Sequence, residues 1–517
     1  MEGSRTKRTI QNSQMSLLLF LIQVFIGFYS RKVFLDHLGD EVIGLNTTLG
    51  NILGFLNLAE LGIGIAMATS LYQPIHDQDR HTIREILGVQ GFLYKRIALL
   101  LCLLSIPIII ALPFIFPSTE CGIAYVYVAY IVFLSGSIFG YLWNYRQVLI
   151  QADQKNYKLM PWVHGTRYVK ILLQIFVLIF FSWGIWGWII IEFIGNVATV
   201  LAINHVMRKE YPWLYAEKTP TNDLIHKYHG LIVKTKQVFV HKIALFVIEQ
   251  TAPLIIYAFV SLTMVTFYGN YMILIGYVVT LMNVVFEGMG ASIGNLVAEK
   301  NRSHTLDVFW ELFTSRIWIA GIACYGLYLF IGPFITLWIG SRYLLGETTL
   351  LLLVVGMFIR ITRSVVDSFK NAYQLFADVW APIAEAAIHL GGAILLGYFW
   401  GLNGILLGGI LSQIVIVLIW KPYYTFRRGL KASPLSYYLQ FVIHCVVLIV
   451  FACLAKALYS HFCSWQGGAD ADWLQLVVWL TVSLLFFIVA TFITLYILTT
   501  GMRMFTRRMI KITTRKL

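Results

Sequence analysis

Charge is scarce in this chain. Only 12% of its 517 residues are Asp, Glu, Lys or Arg, while 59% are hydrophobic and the mean hydropathy is +0.75; soluble domains carry roughly 25% charged residues. That balance excludes an ordinary water-soluble protein. Cysteine is also sparse. Its six occurrences, Cys102, Cys121, Cys324, Cys445, Cys453 and Cys463, stand singly with no CxxC pair, so they read as small buried hydrophobes rather than metal or redox ligands. No nucleophile–base–orienter set, Gly-rich phosphate loop or metal-ligand spacing is present. No catalytic residue, bound metal or cofactor is therefore expected, and ATP drive has no support. Basic residues precede the first apolar run, but no small-residue cleavage site follows before Arg31 and Lys32, so that run reads as an uncleaved first helix.

Long apolar runs are what the chain has in abundance. Met15–Tyr29, Ile97–Phe116 and Leu474–Leu498 are nearly unbroken, and a bilayer core of about 30 Å needs roughly 20 such residues per helix. Strands of a membrane barrel would instead alternate over roughly ten-residue segments. The expected fold is all-α, a polytopic membrane protein with about fourteen transmembrane helices, near 14–33, 45–72, 97–116, 123–144, 160–181, 184–206, 237–262, 270–295, 312–338, 347–369, 380–398, 402–424, 435–458 and 474–498. Lys and Arg gather in cytoplasmic loops. Arg80, Arg84, Lys95 and Arg96, then Lys155 and Lys158, then Arg208 to Lys236, Lys300 and Arg302, Lys421 to Lys431 and Arg503 to Lys516 all fall on one side. Only Arg31, Lys32, Arg342 and Lys456 fall on the other. Both termini are thus expected in the cytoplasm. The net charge of +14 fits an anionic inner leaflet and calls for no nucleic acid.

The chain echoes itself. Shifted by 226 residues, Gly50, Gly62 and Gly64 fall on Gly276, Gly288 and Gly290. His81-Thr-Ile, Gln151-Ala-Asp153 and Trp183-Gly-Ile-Trp-Gly187 find counterparts in His304-Thr-Leu, Phe376-Ala-Asp378 and Trp400-Gly-Leu-Asn-Gly404, in the same order. Six helices separate the copies, so the halves share one topology and a pseudo-two-fold along the membrane normal is expected. The domains read as a six-helix lobe (1–206), a cytoplasmic linker (207–236), a second six-helix lobe (237–431), and helices 13 and 14 with a basic tail (432–517). Gly62, Gly64, Gly288 and Gly290 are the positions for close packing or bending.

Ionisable residues within the spans are costly, at roughly 2.5–3.5 kcal/mol each at a helix centre, and normally face a cavity or a partner. His164, Arg167, Lys170 and Gln174 share about a third of one helix circumference, and Arg360, Arg363 and Asp367 share a narrow face of another. With Arg31, Lys242 and Arg316, the cations Arg167, Lys170, Arg360 and Arg363 are the candidates for lining a wetted, anion-accepting chamber, because guanidinium and ammonium groups hold phosphate. Glu60, Glu249, Glu287, Asp367, Glu385 and His389 are the candidates for coupling to H+ or Na+. Arg363 and Asp367 also stand where they can neutralise each other.

The segment Arg31-Lys-Val-Phe-Leu-Asp-His-Leu-Gly-Asp-Glu-Val-Ile-Gly-Leu45, continuing to Leu58-Ala-Glu-Leu-Gly-Ile-Gly64, resembles the opening of bacterial polysaccharide transport family proteins. These are the O-antigen and capsule repeat-unit flippases of the multidrug/oligosaccharidyl-lipid/polysaccharide exporter superfamily. The resemblance implies alternating-access export of a polyprenyl-pyrophosphate-linked glycan across the bacterial cytoplasmic membrane, with membrane lipid as surroundings and a polysaccharide polymerase or glycosyltransferases as partners. Outward passage of a doubly negative head across an inside-negative membrane is favoured by about 4.6 kcal/mol per 100 mV. A drug/cation antiporter would share the core but want an acidic cavity. A polymerase or ligase would want a sizeable catalytic outer loop, and the longest, near 459–473, offers only His461, Asp470 and Asp472.

Overall fold

The computed structural model describes residues 2–57, 63–117, 119–181, 183–215, 227–228, 248, 250–286, 293–294, 296–297, 299, 301–375, 377–462 and 473–514. Among these residues helix is the sole regular structure. The helices are α1 (Glu2–Leu38), α2 (Asp40–Leu56), α3 (Ile63–His76), α4 (Arg80–Ile115), α5 (Gly122–Trp143), α6 (Gln147–Ala152), α7 (Asn156–Phe180) and α8 (Gly184–Glu210) in the first part. There follow α9 (Leu262–Phe286), α10 (Arg302–Trp338), α11 (Glu347–Ala372), α12 (Trp380–Ser412), α13 (Pro434–Phe462), α14 (Trp473–Leu498) and α15 (Thr500–Thr514). Beyond Ser412, α12 runs on through wide-turn segments to Leu430. Eleven stretches among the described residues are long and apolar enough to cross a membrane. One of them, Trp380–Leu430, holds two of the expected spans, because Gly401 (φ 54°, ψ −133°) breaks the helical path between them. The expected spans 45–72 and 237–262 include residues outside the described set. The chain is an all-α multi-pass membrane protein.

Two compact units divide the chain, Met1–Thr266 and Phe267–Leu517. In the first, α7 pairs with α8, α1 lies on α7, and α5 contacts α4 and α8. In the second, α10 packs on α11, α13 on α14, and α15 on α10. An aromatic core sets the α10–α11 pairing: buried Phe309 meets Phe369 and Phe426 with ring centroids 5.1 and 5.0 Å apart.

Similar local devices stand near the sequence echoes. Asp79 caps α4 by accepting from the Thr82 amide, and Asn301 caps α10 by accepting from the His304 amide. Hydrogen bonds from the Thr82 hydroxyl and amide hold the Asp79 carboxyl below its usual range. These caps explain why α4 and α10 begin well before the expected spans at 97 and 312. Hydropathy marks the segment that crosses lipid, whereas a side-chain acceptor marks where a helix starts. Gly184 (φ 49°) and Gly401 (φ 54°) both take the left-handed region that glycine tolerates, and each opens an antiparallel helical hairpin. Inside the hairpins, a Cβ on Gly187 would lie 2.7 Å from Val177, and one on Gly404 would lie 1.9 Å from the Leu396 carbonyl oxygen. Gly408 similarly touches the Gly392 backbone, so the two limbs of α12 approach through small residues.

Candidate functional site

Each hairpin closes on a partly buried polar cluster. Between α7 and α8, the Lys170 Nζ lies 2.6 Å from Glu192 Oε1, and Gln174 donates to Glu192 Oε2 (3.0 Å) and to the Trp188 carbonyl (3.2 Å). The arm of Lys170 runs across Gly195, where an added Cβ would sit 2.2 Å from its Cδ. Lys170 is therefore balanced within its own unit. Arg167, three residues earlier, is exposed and has no ion-pair partner among the described residues. His164 is half-buried on the same side.

The second hairpin, with α11, assembles two cations and two carboxylates. Arg363 Nε lies 2.9 Å from Asp367 Oδ2, and its Nη1 lies 4.0 Å from Glu385 Oε1. Lys421 Nζ stands 3.5 Å from Glu385 Oε2 and 3.7 Å from Asp367 Oδ1. By charge distribution alone Lys421 belongs with the inner-side loop cations. The structure buries it, because the helix continues through Thr425–Leu430 and carries Lys421 back alongside Glu385. One turn from Glu385, buried His389 packs its ring against Gly409, and neither Glu385 Oε1 nor His389 Nδ1 has a hydrogen-bond partner among the described residues. Two similar fastenings lie at the open ends of the hairpins. Asp153 takes Lys155 and the Tyr211 hydroxyl; Asp378 takes Lys370 and the Trp420 indole N–H. The echo of Gln151-Ala-Asp153 in Phe376-Ala-Asp378 is thus a pair of equivalent acceptors, although Phe376 itself lies outside the described residues.

The remaining expected site residues are dispersed. Arg316 is buried in α10 and grips Ser364 on α11 with Nε and Nη2 at 3.0 and 2.7 Å. Arg31 donates to the Thr266 carbonyl at 3.2 Å, and the Thr266 hydroxyl donates to the Asp40 carbonyl at 2.6 Å. Gly64 has open space around it apart from the Tyr94 hydroxyl at 3.8 Å. Lys242, Glu60, Glu249, Glu287, Gly62, Gly288 and Gly290 lie outside the described residues. Sequence reasoning missed Lys421 and Ser364 as partners. The available signal for Lys421 was charge balance, since the acids of this segment need cations close by.

Two arginines share a distinctive placement. Arg360 stands about 20 Å along the 26-residue α11, close to its midpoint, and Arg167 stands about 17 Å along the 25-residue α7. Both are exposed. At 100° per residue, Arg167 lies opposite the exposed Val169, Leu172 and Phe176, and Arg360 lies opposite the exposed Leu351 and Val355. Each unit therefore offers a mid-helix guanidinium on a face other than its exposed apolar one.

No protein-family model matches the sequence, and no curated protein matches it. Solved structures do. A lipid II flippase, MurJ, in an inward closed conformation is 14% identical, covers 94% of this chain and 99% of its own, and superposes with a TM-score of 0.63. The fold is that of MurJ and the MATE transporters. An inward-facing multidrug resistance MATE transporter of the MOP superfamily is 14% identical over 81% of this chain and 99% of its own, with a TM-score of 0.56. The Vibrio cholerae MATE transporter VcmN is 15% identical over 83% and 99%, with a TM-score of 0.51. Against the MATE structures, the MurJ superposition covers more of this chain, 94% compared with 81% and 83%.

Proposed function

We propose that this protein is a flippase, not an enzyme, that moves a polyprenyl-pyrophosphate-linked oligosaccharide from the inner to the outer leaflet of a bacterial cytoplasmic membrane by alternating access. The observation that carries the reading is the exposed mid-helix arginine in each unit, Arg167 on α7 and Arg360 on α11. A guanidinium at membrane depth faces a wetted cavity or a partner, and its planar fork suits a diphosphate. The greater coverage of the MurJ fold supports a lipid-linked substrate. Lys170 and Arg363 are held in ion pairs with Glu192 and Asp367, so the exposed Arg167 carries more of the substrate reading than either. Asp367, Glu385 and His389 remain the groups for coupling to H+ or Na+. Both termini are placed in the cytoplasm by the distribution of Lys and Arg, and the glycan would be handed on to a polymerase.

The shared MATE fold favours a second reading, a multidrug/cation antiporter. The test uses vesicles reconstituted with the full chain and a fluorescent polyprenyl-pyrophosphate disaccharide, scored by access of an impermeant quencher to the second leaflet, beside efflux of a cationic dye. Flipping that drops at least tenfold in Arg167→Ala and in Arg360→Ala supports the flippase. Dye efflux that survives both substitutions, with no glycan movement by the unaltered protein, replaces it with the antiporter.

A further inference from the structure

We propose that α15, the basic helix following the last membrane-crossing helix, is a binding surface for the anionic phospholipid headgroups of the adjoining leaflet. A single residue separates it from α14: Thr499, whose hydroxyl accepts from the Met502 amide. The cationic stripe therefore begins at the membrane boundary, and the whole 15-residue helix extends about 22 Å.

One face of α15 is committed to the protein. Gly501 lies so close to α10 that an added Cβ would fall 2.3 Å from the Trp310 carbonyl oxygen and 2.4 Å from the Thr314 hydroxyl. Met502 is fully buried with Val447 and Leu495, and Phe505 packs against that cluster. Arg508 reaches Glu311 on α10 at 3.3 Å. These contacts prevent the helix from rolling, so they fix what its other side presents.

That other side carries Arg503, Arg507 and Lys511, four residues apart, within about 80° of the helix circumference, and all three are exposed. No acidic residue occurs from Thr500 to Thr514. Ile510, 57% exposed, borders the stripe on one side, and Met504 borders it on the other. Cations flanked by apolar side chains are the arrangement of a helix lying at the lipid interface, its charges on phosphates and its apolar residues at the acyl boundary. An acidic protein would also meet the charge, but it gives no reason for an exposed isoleucine beside the stripe immediately after a membrane helix.

The test uses the full chain with its native cysteines replaced and an Ile510→Cys substitution carrying an environment-sensitive fluorophore. The protein is reconstituted in phosphatidylcholine vesicles containing some phosphatidylglycerol. Quenching by headgroup spin-labelled phosphatidylglycerol is expected to be several times stronger than by spin-labelled phosphatidylcholine at low salt, with the preference collapsing in high salt. Each cation removed weakens the attraction to the anionic surface, so Arg507→Gln should lower that preference measurably, and Arg503→Gln, Arg507→Gln and Lys511→Gln together should abolish it. Arg507→Gln alone serves if the triple variant does not fold. Equal quenching by the two lipids, full access of the probe to aqueous iodide, or a preference that survives the substitutions overturns the proposal. The measurement scores binding only, so its outcome is independent of whether the protein moves a glycan.

Discussion

Replacing Lys421 with methionine keeps a stem of similar length and removes the charge that faces two carboxylates. Its side chain is 9% exposed, and that of Glu385 is 2% exposed. At 3.5 Å and an effective dielectric near 20, one ion pair attracts by about 5 kcal/mol, and Lys421 engages Glu385 and Asp367 at nearly that distance. Part of this is offset by desolvation and by repulsion from Arg363. What remains after truncation is the buried Glu385 and the partly exposed Asp367 sharing one guanidinium, and breaking a buried pair such as Lys421–Glu385 typically costs about 3–5 kcal/mol. Lys421→Met should therefore lower the unfolding free energy of the detergent-solubilised protein by that amount. Adding Glu385→Gln restores charge neutrality and should recover more than half of the loss, a coupling that a double-mutant cycle in a chemical denaturant resolves. A loss below about 1 kcal/mol for Lys421→Met, or strict additivity of the two substitutions, would refute the reasoning that the four groups act as one neutral unit.

Gly195→Ala puts a methyl group where the Lys170 arm lies, so Lys170 must withdraw from Glu192; we expect about 1–3 kcal/mol of destabilisation, and unchanged stability would contradict the packing. Gly44→Ala places a Cβ 2.1 Å from the Leu262 carbonyl oxygen, a backbone atom that cannot turn aside. The segments must part, loosening the Arg31–Thr266–Asp40 hydrogen bonds, and a cysteine at position 266 should react several-fold faster with an impermeant maleimide in Gly44→Ala than in the glycine parent.

Hydropathy revealed the membrane helices because lipid offers the backbone no hydrogen-bond partner, so each crossing must be a continuous apolar helix. The glycine echoes were legible for a related reason. Trp183-Gly-Ile-Trp-Gly187 and Trp400-Gly-Leu-Asn-Gly404 keep glycine at the two points where geometry demands it, the left-handed turn and the close helix contact. Helix extent was less legible, since Arg80 to Arg96 looks like loop by charge yet belongs to α4 behind the Asp79 cap. The pairing of charges was the least legible. Arg363 and Asp367 are four apart on one helix and could be matched by spacing, but Lys170 and Glu192 meet only because a hairpin turns at Gly184, and Lys421 meets Glu385 only because one turns at Gly401.

That distinction changes what a count of intramembrane cations means. A lysine whose stem crosses a glycine to reach a carboxylate has its direction set by packing, and the carboxylate has already taken its charge. Such a group stabilises a hairpin and adds little field outside it. Arg167 shows the contrast within two turns of one helix: Lys170 and Gln174 point toward Glu192, while the guanidinium three residues earlier stays exposed on the side away from Val169, Leu172 and Phe176. On α11 the same division recurs, with Arg363 turned to Asp367 and Arg360 exposed on the side away from Leu351 and Val355. Each of the two helices thus carries one cation ion-paired within its unit and another that is exposed near mid-helix. Each exposed guanidinium has a planar fork that suits phosphate, and this is why these arginines, rather than the larger set of charged residues, bear the test of the flippase reading.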